Sequence, residues 1–385
     1  MGSAELPSEL IFEILSRTSL ETLERCKAVS KSWKQIIYEP SFLPLHCQRT
    51  NSLFGYFFQD VRRIAKFPSA LVSCAPGAAA AAAIKVTWPC DDMEILASCD
   101  QGILCCQRRI CYNKRFYACK PATSQWQALP NPKLRYETDA VAIVVVRSTP
   151  LRYIIARLYH SETMQHHCEI FDSETWAWEK IECAAPYGEI IEYCRRAVTT
   201  AGRFFHWLTV NGNVLTLDVK RRSFRCSPLL QCDPACKWKE LVEYEGELGF
   251  ARMVEDGDRR EMEVWVGAER KVVVDMRGIE RALKHAQPVE LCSSTVVFLR
   301  SADGGGFYNI QNGSFSRVEV PNELRNPKQV FRFRSDGEII DLKGGPRRAF
   351  EPNSPTPDKI ISSGLIRMTS LAMLFLFLGF STISH

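Results

Sequence analysis

Apolar residues recur at positions 10, 11, 14 and 15, then at 20, 23, 26 and 29, then at 33, 36 and 37, and this spacing predicts three short helices at the start of the chain. Pro7 stands at the opening turn of the first, where a missing N–H costs nothing, and Glu9 and Glu13 lie near its positive end. The second is expected to start at Thr18, with Glu21 three residues on completing a capping box, and to close on Arg25 and Lys27. The third carries Trp33, Ile36 and Ile37 and stops before Pro40, which disfavours helix in the residue preceding it. So small a helical module keeps much of its apolar surface exposed. It needs either a partner protein or the rest of the same chain to cover it.

After residue 50 the pattern becomes that of strands. The aromatic-rich run Asn51 to Asp60 reads as the first of them. From about residue 95 a unit repeats, in which a short strand, a polar turn and a second strand opening on an aromatic follow one another. Phe116–Pro121 leads to Trp126, Cys168–Asp172 to Trp178, Val214–Asp218 to Phe224, and Gly306–Ile310 to Phe315. Trp126, Trp178 and Phe224 stand 52 and 46 residues apart, and the 91 from Phe224 to Phe315 leave room for two more units. Glu263–Val266 and Lys271–Asp275 supply strands for one of these. Antiparallel hairpins at this period predict the blades of a β-propeller of kelch or WD type, in degenerate form, since neither a recurrent Gly-His…Trp-Asp nor a regular Gly-Gly doublet occurs. A β-sandwich also has short, evenly spaced strands but leaves the recurring aromatic without a cause. The last strand, near Val330–Arg334, is expected to pair with Leu53–Phe58, because an open ring leaves strand edges unpaired.

Composition narrows the function more than the fold. The chain has 385 residues, 46% hydrophobic and 24% charged, enough for a small module and one large β domain. A net charge of +5 with both signs interspersed lacks the concentrated basic face that nucleic acid requires, so no nucleic-acid partner is expected. The N-terminus has no basic segment followed by an apolar core, and the sixteen cysteines are therefore expected as reduced thiols. Cys90, Cys99, Cys105, Cys106, Cys111 and Cys119 crowd one region without a Cys-x-x-Cys pair, Cys232 and Cys236 have no matching pair, and His166-His167-Cys168 stands alone. No metal or cofactor is expected. No Gly-x-Ser-x-Gly or His-Glu-x-x-His occurs, Gly304-Gly305-Gly306 reads as a turn, His206 as a satisfied core histidine, and Arg221-Arg222 and Arg347-Arg348 as solvated turns. No catalytic residue is assigned. Ala78 to Ala83, between Pro76 and the strand-like Ile84–Trp88, reads as a surface loop.

Leu6-Pro7, Ile14-Leu15, Leu23 and Val29-Ser30-Lys31-Ser32-Trp33 together resemble the F-box over about residues 3 to 47, and the order of this module followed by degenerate blades resembles plant F-box proteins with an F-box-associated or kelch-like C-terminal half. Thr18-Ser19 and Cys26 depart from the pattern, where plant members usually carry Leu-Pro and Phe. The resemblance implies an α+β multidomain chain: a three-helix F-box at 1–50, an all-β propeller-like domain of degenerate kelch-type repeats at 51–345, a Pro-containing linker at 346–367 and an apolar tail at 368–385. It implies docking on a Skp1-like adaptor, and through it on cullin, by Leu6, Pro7, Leu10, Ile11, Ile14, Leu15, Leu20, Leu23, Val29 and Trp33. The chain then acts as the non-catalytic substrate-recognition subunit of an SCF (Skp1–cullin–F-box) ubiquitin ligase in the cytoplasm or nucleus, its propeller holding an unknown target protein. The alternatives are a kelch-like propeller enzyme and a non-ligase interaction scaffold.

The tail adds one more expectation. Leu371–Phe380 is continuously apolar apart from Gly379, and a segment counted from Leu365, with Arg367 at its cytosolic end, has marginal length for a membrane anchor. A tail packed on the propeller and a non-native end to the reading frame are the other readings.

Overall fold

The computed structural model describes residues 6–343 apart from short stretches, the longest being 61–66, 74–82, 85–91, 161–165, 184–190, 192–195, 230–235, 319–323 and 325–328. Expectations for Ala78 to Ala82, for Arg347-Arg348 and for the linker and apolar tail therefore lie outside the described residues. Those described fall in one compact unit, Met1–Gly344.

The helical module holds four helices. The first, α1 (Ser8–Leu15), follows Pro7, whose carbonyl accepts from the Leu10 and Ile11 amides at 3.0 and 3.1 Å. The second, α2 (Leu20–Cys26), is capped by Ser19 and not by Thr18: extended Ser19 accepts from the Thr22 amide at 3.2 Å. Thr18 stands one residue too early, and its hydroxyl donates instead to the Leu15 carbonyl at 2.8 Å, closing α1. In α3 (Lys31–Tyr38) the Ser30 hydroxyl accepts from the Trp33 amide at 3.1 Å, and the helix stops at extended Glu39 ahead of Pro40. A fourth helix, α4 (Phe42–Thr50), was not expected, since the helical pattern was read only as far as Pro40. Pro44 falls in its first turn, where its absent N–H is tolerated. Leu15, Leu23, Cys26, Ile36, Ile37 and Phe42 form the buried core of the module, with Ile11, Phe12 and Trp33 packed against it. His46 Nε2 donates to the Thr18 carbonyl at 2.9 Å and joins α4 to the α1–α2 turn.

From α4 the chain enters β1 (Leu53–Gln59), β2 (Ser69–Ser73) and β3 (Ala83–Ile84). Two antiparallel sheets of four follow: β4 (Met93–Ser98), β5 (Leu104–Ile110), β6 (Asn113–Lys120) and β7 (Gln125–Ala128); then β8 (Ala140–Ser148), β9 (Leu151–His160), β10 (His166–Asp172) and β11 (Ala177–Ile181). Next come β12 (Val198–Thr200), β13 (Phe204–Leu208), β14 (Asn213–Asp218) and β15 (Ser223–Pro228), and β16 (Lys239–Tyr244), β17 (Glu247–Asp256), β18 (Arg259–Val266) and β19 (Glu269–Asp275). The last full set is β20 (Gln287–Ser293), β21 (Val296–Ser301), β22 (Gly304–Asn309) and β23 (Phe315–Val318). Then β24 (Gln329–Ser335) returns to the first sheet and pairs antiparallel with β1 from Leu53↔Ser335 to Gln59↔Gln329. The strands β4, β8, β12, β16, β20 and β24 are innermost, each packing on the next and β24 on β4. The fold is a six-bladed propeller, and the closing strand gives the first blade its inner strand, so the ring is closed by pairing the two ends of the β region.

The repeat seen in the sequence is the outer hairpin of four of the six blades. A polar residue ends the third strand, a residue with positive φ follows four positions on, and an aromatic two positions later. The sets are Lys120, Ser124 and Trp126; Asp172, Trp176 and Trp178; Asp218, Arg222 and Phe224; Asn309, Gly313 and Phe315. Asp172 accepts from the Glu174 amide, Asp218 from the Lys220 and Arg221 amides, and Asn309 from the Gln311 amide, so the short polar side chain builds the turn. Blades diverge outward, and large rings fill the widening gap to native density. Trp178, for example, packs edge-on against Phe116 of the preceding blade with centroids 5.7 Å apart and donates Nε1–H to the Pro130 carbonyl at 2.7 Å.

Three details differ from expectation. One blade, β16–β19, fills the interval between Phe224 and Phe315, because two periods enclose a single intervening hairpin. Gly304-Gly305-Gly306 opens strand β22: a Cβ on Gly306 would stand 2.4 Å from the Phe315 ring and 2.6 Å from the Ser316 carbonyl oxygen, so the glycines admit close backbone approach. Arg222 also does more than face solvent, forming an ion pair with Glu179 of the neighbouring blade. Among the described residues, no helix is long and apolar enough to cross a membrane.

Candidate functional site: the helical docking face

Ten residues single out the helical module, and the fold separates them into two sets. Leu6, Leu10, Ile14 and Val29 are 54, 50, 53 and 62% exposed, with Pro7 exposed beside them. Leu10 and Ile14 lie one turn apart on one face of α1, and Val29 sits in the turn between α2 and α3. Leu15 and Leu23 are 1% and 0% exposed and belong to the module's own core, where Ile11 and Trp33 are half-buried at the margin. Leu20 opens α2, and its side chain lies outside what is described.

Polar contacts hold the face in place. Arg49 of α4 donates to Glu13 of α1 at 3.0 Å, and Glu13 also pairs with Arg17 one turn on. These guanidiniums, Arg17 foremost, hold the Glu13 carboxyl below its ordinary value. The exposed leucines and isoleucine are thus carried on a helix fixed from behind.

The propeller offers little for chemistry. His206 is buried, with Nε2 2.8 Å from Thr200 Oγ1 and Nδ1 2.9 Å from Thr216 Oγ1, and burial lowers its pKa to about 4. Asp139 gathers His160 at 2.8 Å and His166 at 3.6 Å, yet no group of three His, Cys, Asp or Glu among the described residues has a metal-binding arrangement. Cys105, Cys106 and Cys168 are buried thiols whose burial raises their pKa well above the ordinary value, the opposite of a reactive cysteine.

The propeller axis carries a residue that sequence reasoning passed over. Arg196, just before β12, reaches across the ring: it pairs with Glu240 of β16 and donates to the carbonyls of Val289 in β20 at 3.1 Å and Val330 in β24 at 2.9 Å. Burial pushes the Glu240 carboxyl up while Arg196 pulls it back. One guanidinium therefore ties four blades together. Nothing in the local sequence marks it, since its partners lie 44 to 134 residues away.

Comparison with known proteins follows the same division. Residues 3–43 match the F-box-like family. F-box protein At5g41720 of Arabidopsis thaliana is 30% identical over 184 residues, 46% of this chain and 91% of that protein. F-box protein At5g49610 is 25% identical over 238 residues, covering 58% of this chain and 64% of that one. F-box/LRR-repeat/kelch-repeat protein At1g09650 is 27% identical over 251 residues, covering 57% and 63%; both are Arabidopsis thaliana proteins of which this chain spans under two thirds.

Proposed function

The chain belongs to the F-box protein family, and from that premise we propose that it is the substrate-recognition subunit of an SCF ubiquitin ligase. Residues 1–50 dock on a Skp1-type adaptor and, through it, on cullin, while the propeller of residues 51–345 holds a target protein. The observation that carries this reading is the exposure of Leu6, Leu10, Ile14 and Val29 on a module that already has a core of its own. Apolar groups left in water on a fixed helix suit a partner with a matching groove. Contact falls to these four and Pro7, with Ile11 and Trp33 at the margin, and Leu15 and Leu23 hold the helices that present them. The chain does no chemistry itself: it raises the effective concentration of target near the ubiquitin donor. Its place of work is the cytoplasm or nucleus.

Affinity purification with the ligase inhibited, compared with a version lacking residues 1–50, tests the division of labour. The adaptor and cullin are expected to vanish with the deletion while propeller-bound proteins remain. Adaptor retained by the truncated chain contradicts the proposal.

A further inference from the structure

The outer strand of the β12–β15 blade differs in charge from those of its neighbours. Residues 219–229 contain Lys220, Arg221, Arg222 and Arg225 and no acid. The outer strands β11 and β19 carry both signs, β7 carries no charge and β23 has Arg317 alone. Side chains of β15 alternate in the manner of a strand: Phe224 and Cys226 pack against the core shared by the β8–β11 and β12–β15 blades, while Ser223, Arg225 and Ser227 are exposed. The turn before it is equally firm. Asp218 pairs with Arg203 and accepts from the Lys220 and Arg221 amides, and Arg222 pairs with Glu179 of the neighbouring blade. The Arg221 side chain stays 78% exposed at 3.9 Å from Asp218, and exposed Lys220 and Arg225 have no acid partner among the described residues. Strand β15 is paired with β14 from Asn213↔Pro228 to Asp218↔Ser223 and has no second ladder partner among the described residues.

A strand paired on one side only directs alternate N–H and C=O groups away from its sheet. Such an edge accepts an added strand, with main-chain hydrogen bonds supplying affinity and side chains the choice of partner. An edge of one sign repels a second copy of itself and attracts an extended segment of the opposite sign. Arg225 on the exposed face, with Lys220 and Arg221 at the turn, stands where alternate side chains of an added strand fall. Pro228 has no N–H and ends the usable edge. We infer that β15 takes an extended acidic segment of another protein as a fifth strand of its four-stranded blade. The inference rests on the target-holding role proposed above for the propeller and names the chemistry of the target, a stretch with Asp or Glu at alternate positions and no sheet of its own.

Fluorescence anisotropy of the full chain with a labelled peptide of alternating glutamate and valine tests this, the peptide being about eight residues long so that it spans β15 at ~3.3 Å per residue. Two control peptides replace glutamate by lysine, which reverses the charge, or valine by proline, which keeps the charge and removes the pairing amides. The glutamate–valine peptide is expected to bind, weakening as salt screens the charges, and both controls to bind at least about tenfold more weakly. Amide exchange across residues 223–227 is expected to slow on binding, as new main-chain hydrogen bonds require. Lys220→Glu combined with Arg225→Glu is expected to lower affinity by about tenfold or more without shifting the melting curve, since both side chains are exposed. If that double variant does not fold, Lys220→Gln alone is expected to lower affinity by about threefold. Leu10→Asp with Ile14→Asp, aimed at the adaptor face, is expected to leave peptide affinity unchanged, so this inference and the ligase reading fail separately. Absence of binding at millimolar peptide overturns the inference. Proline peptide bound as tightly as the valine one, or undiminished binding in the charge variants, does so as well.

Discussion

Single residues carry a large share of the propeller's order. Arg196 is the clearest case, because removing it leaves Glu240 buried without its cation. Arg196→Ala is therefore expected to cost about 3–5 kcal/mol of stability in denaturant unfolding, and pairing it with Glu240→Leu to recover much of the loss. A single variant as stable as wild type contradicts the clasp. His206 sets an acid limit of a different kind. Its folded pKa of about 4 lies below the 6.5 of a free histidine, so between these values the unfolded chain binds more protons and stability falls as pH falls. The contribution is complete above pH 6.5 and lost as pH drops toward 4. Melting temperatures of wild type and His206→Gln across this window check the claim. The wild-type slope should be steeper, and parallel slopes contradict it.

At the scale of elements, the outer hairpin is the unit that repeats, and its tolerances are tight. Gly306→Ala should destabilise by about 1–3 kcal/mol, because the new methyl meets both the Phe315 ring and a backbone carbonyl that cannot move away cheaply. Unchanged thermal unfolding of that variant refutes the close approach. Four of the outer hairpins were legible because each packs a polar turn, a left-handed residue and an aromatic into seven positions. The inner strands were not: β12 has only three residues, and Ala140–Val144 is continuously apolar, so neither shows an alternating pattern. Packing of one inner strand on the next joins residues far along the chain, which local periodicity does not encode. The same limit applies to the helices. Spacing found α1, yet only the packed fold tells the Leu10–Ile14 face from the Ile11–Leu15 face, and Ser19 took the cap from Thr18 by one position.

For the whole molecule, closure and docking are the two claims that matter. Because β24 supplies the innermost strand of the first blade, removing residues 328–343 should abolish cooperative unfolding of the entire propeller; a truncated chain that melts with an unchanged transition contradicts this. The closing pair was foreseeable from a strand-like segment at each end of the β region, while the number of blades was not. Docking through an exposed apolar face is the central claim, and titrating a purified Skp1-type adaptor into the full chain tests it most directly. Wild type should bind, and Leu10→Asp with Ile14→Asp should weaken binding by at least about a hundredfold without shifting the melting curve, because both side chains already stand in water. Wild-type affinity in that double variant would contradict the account.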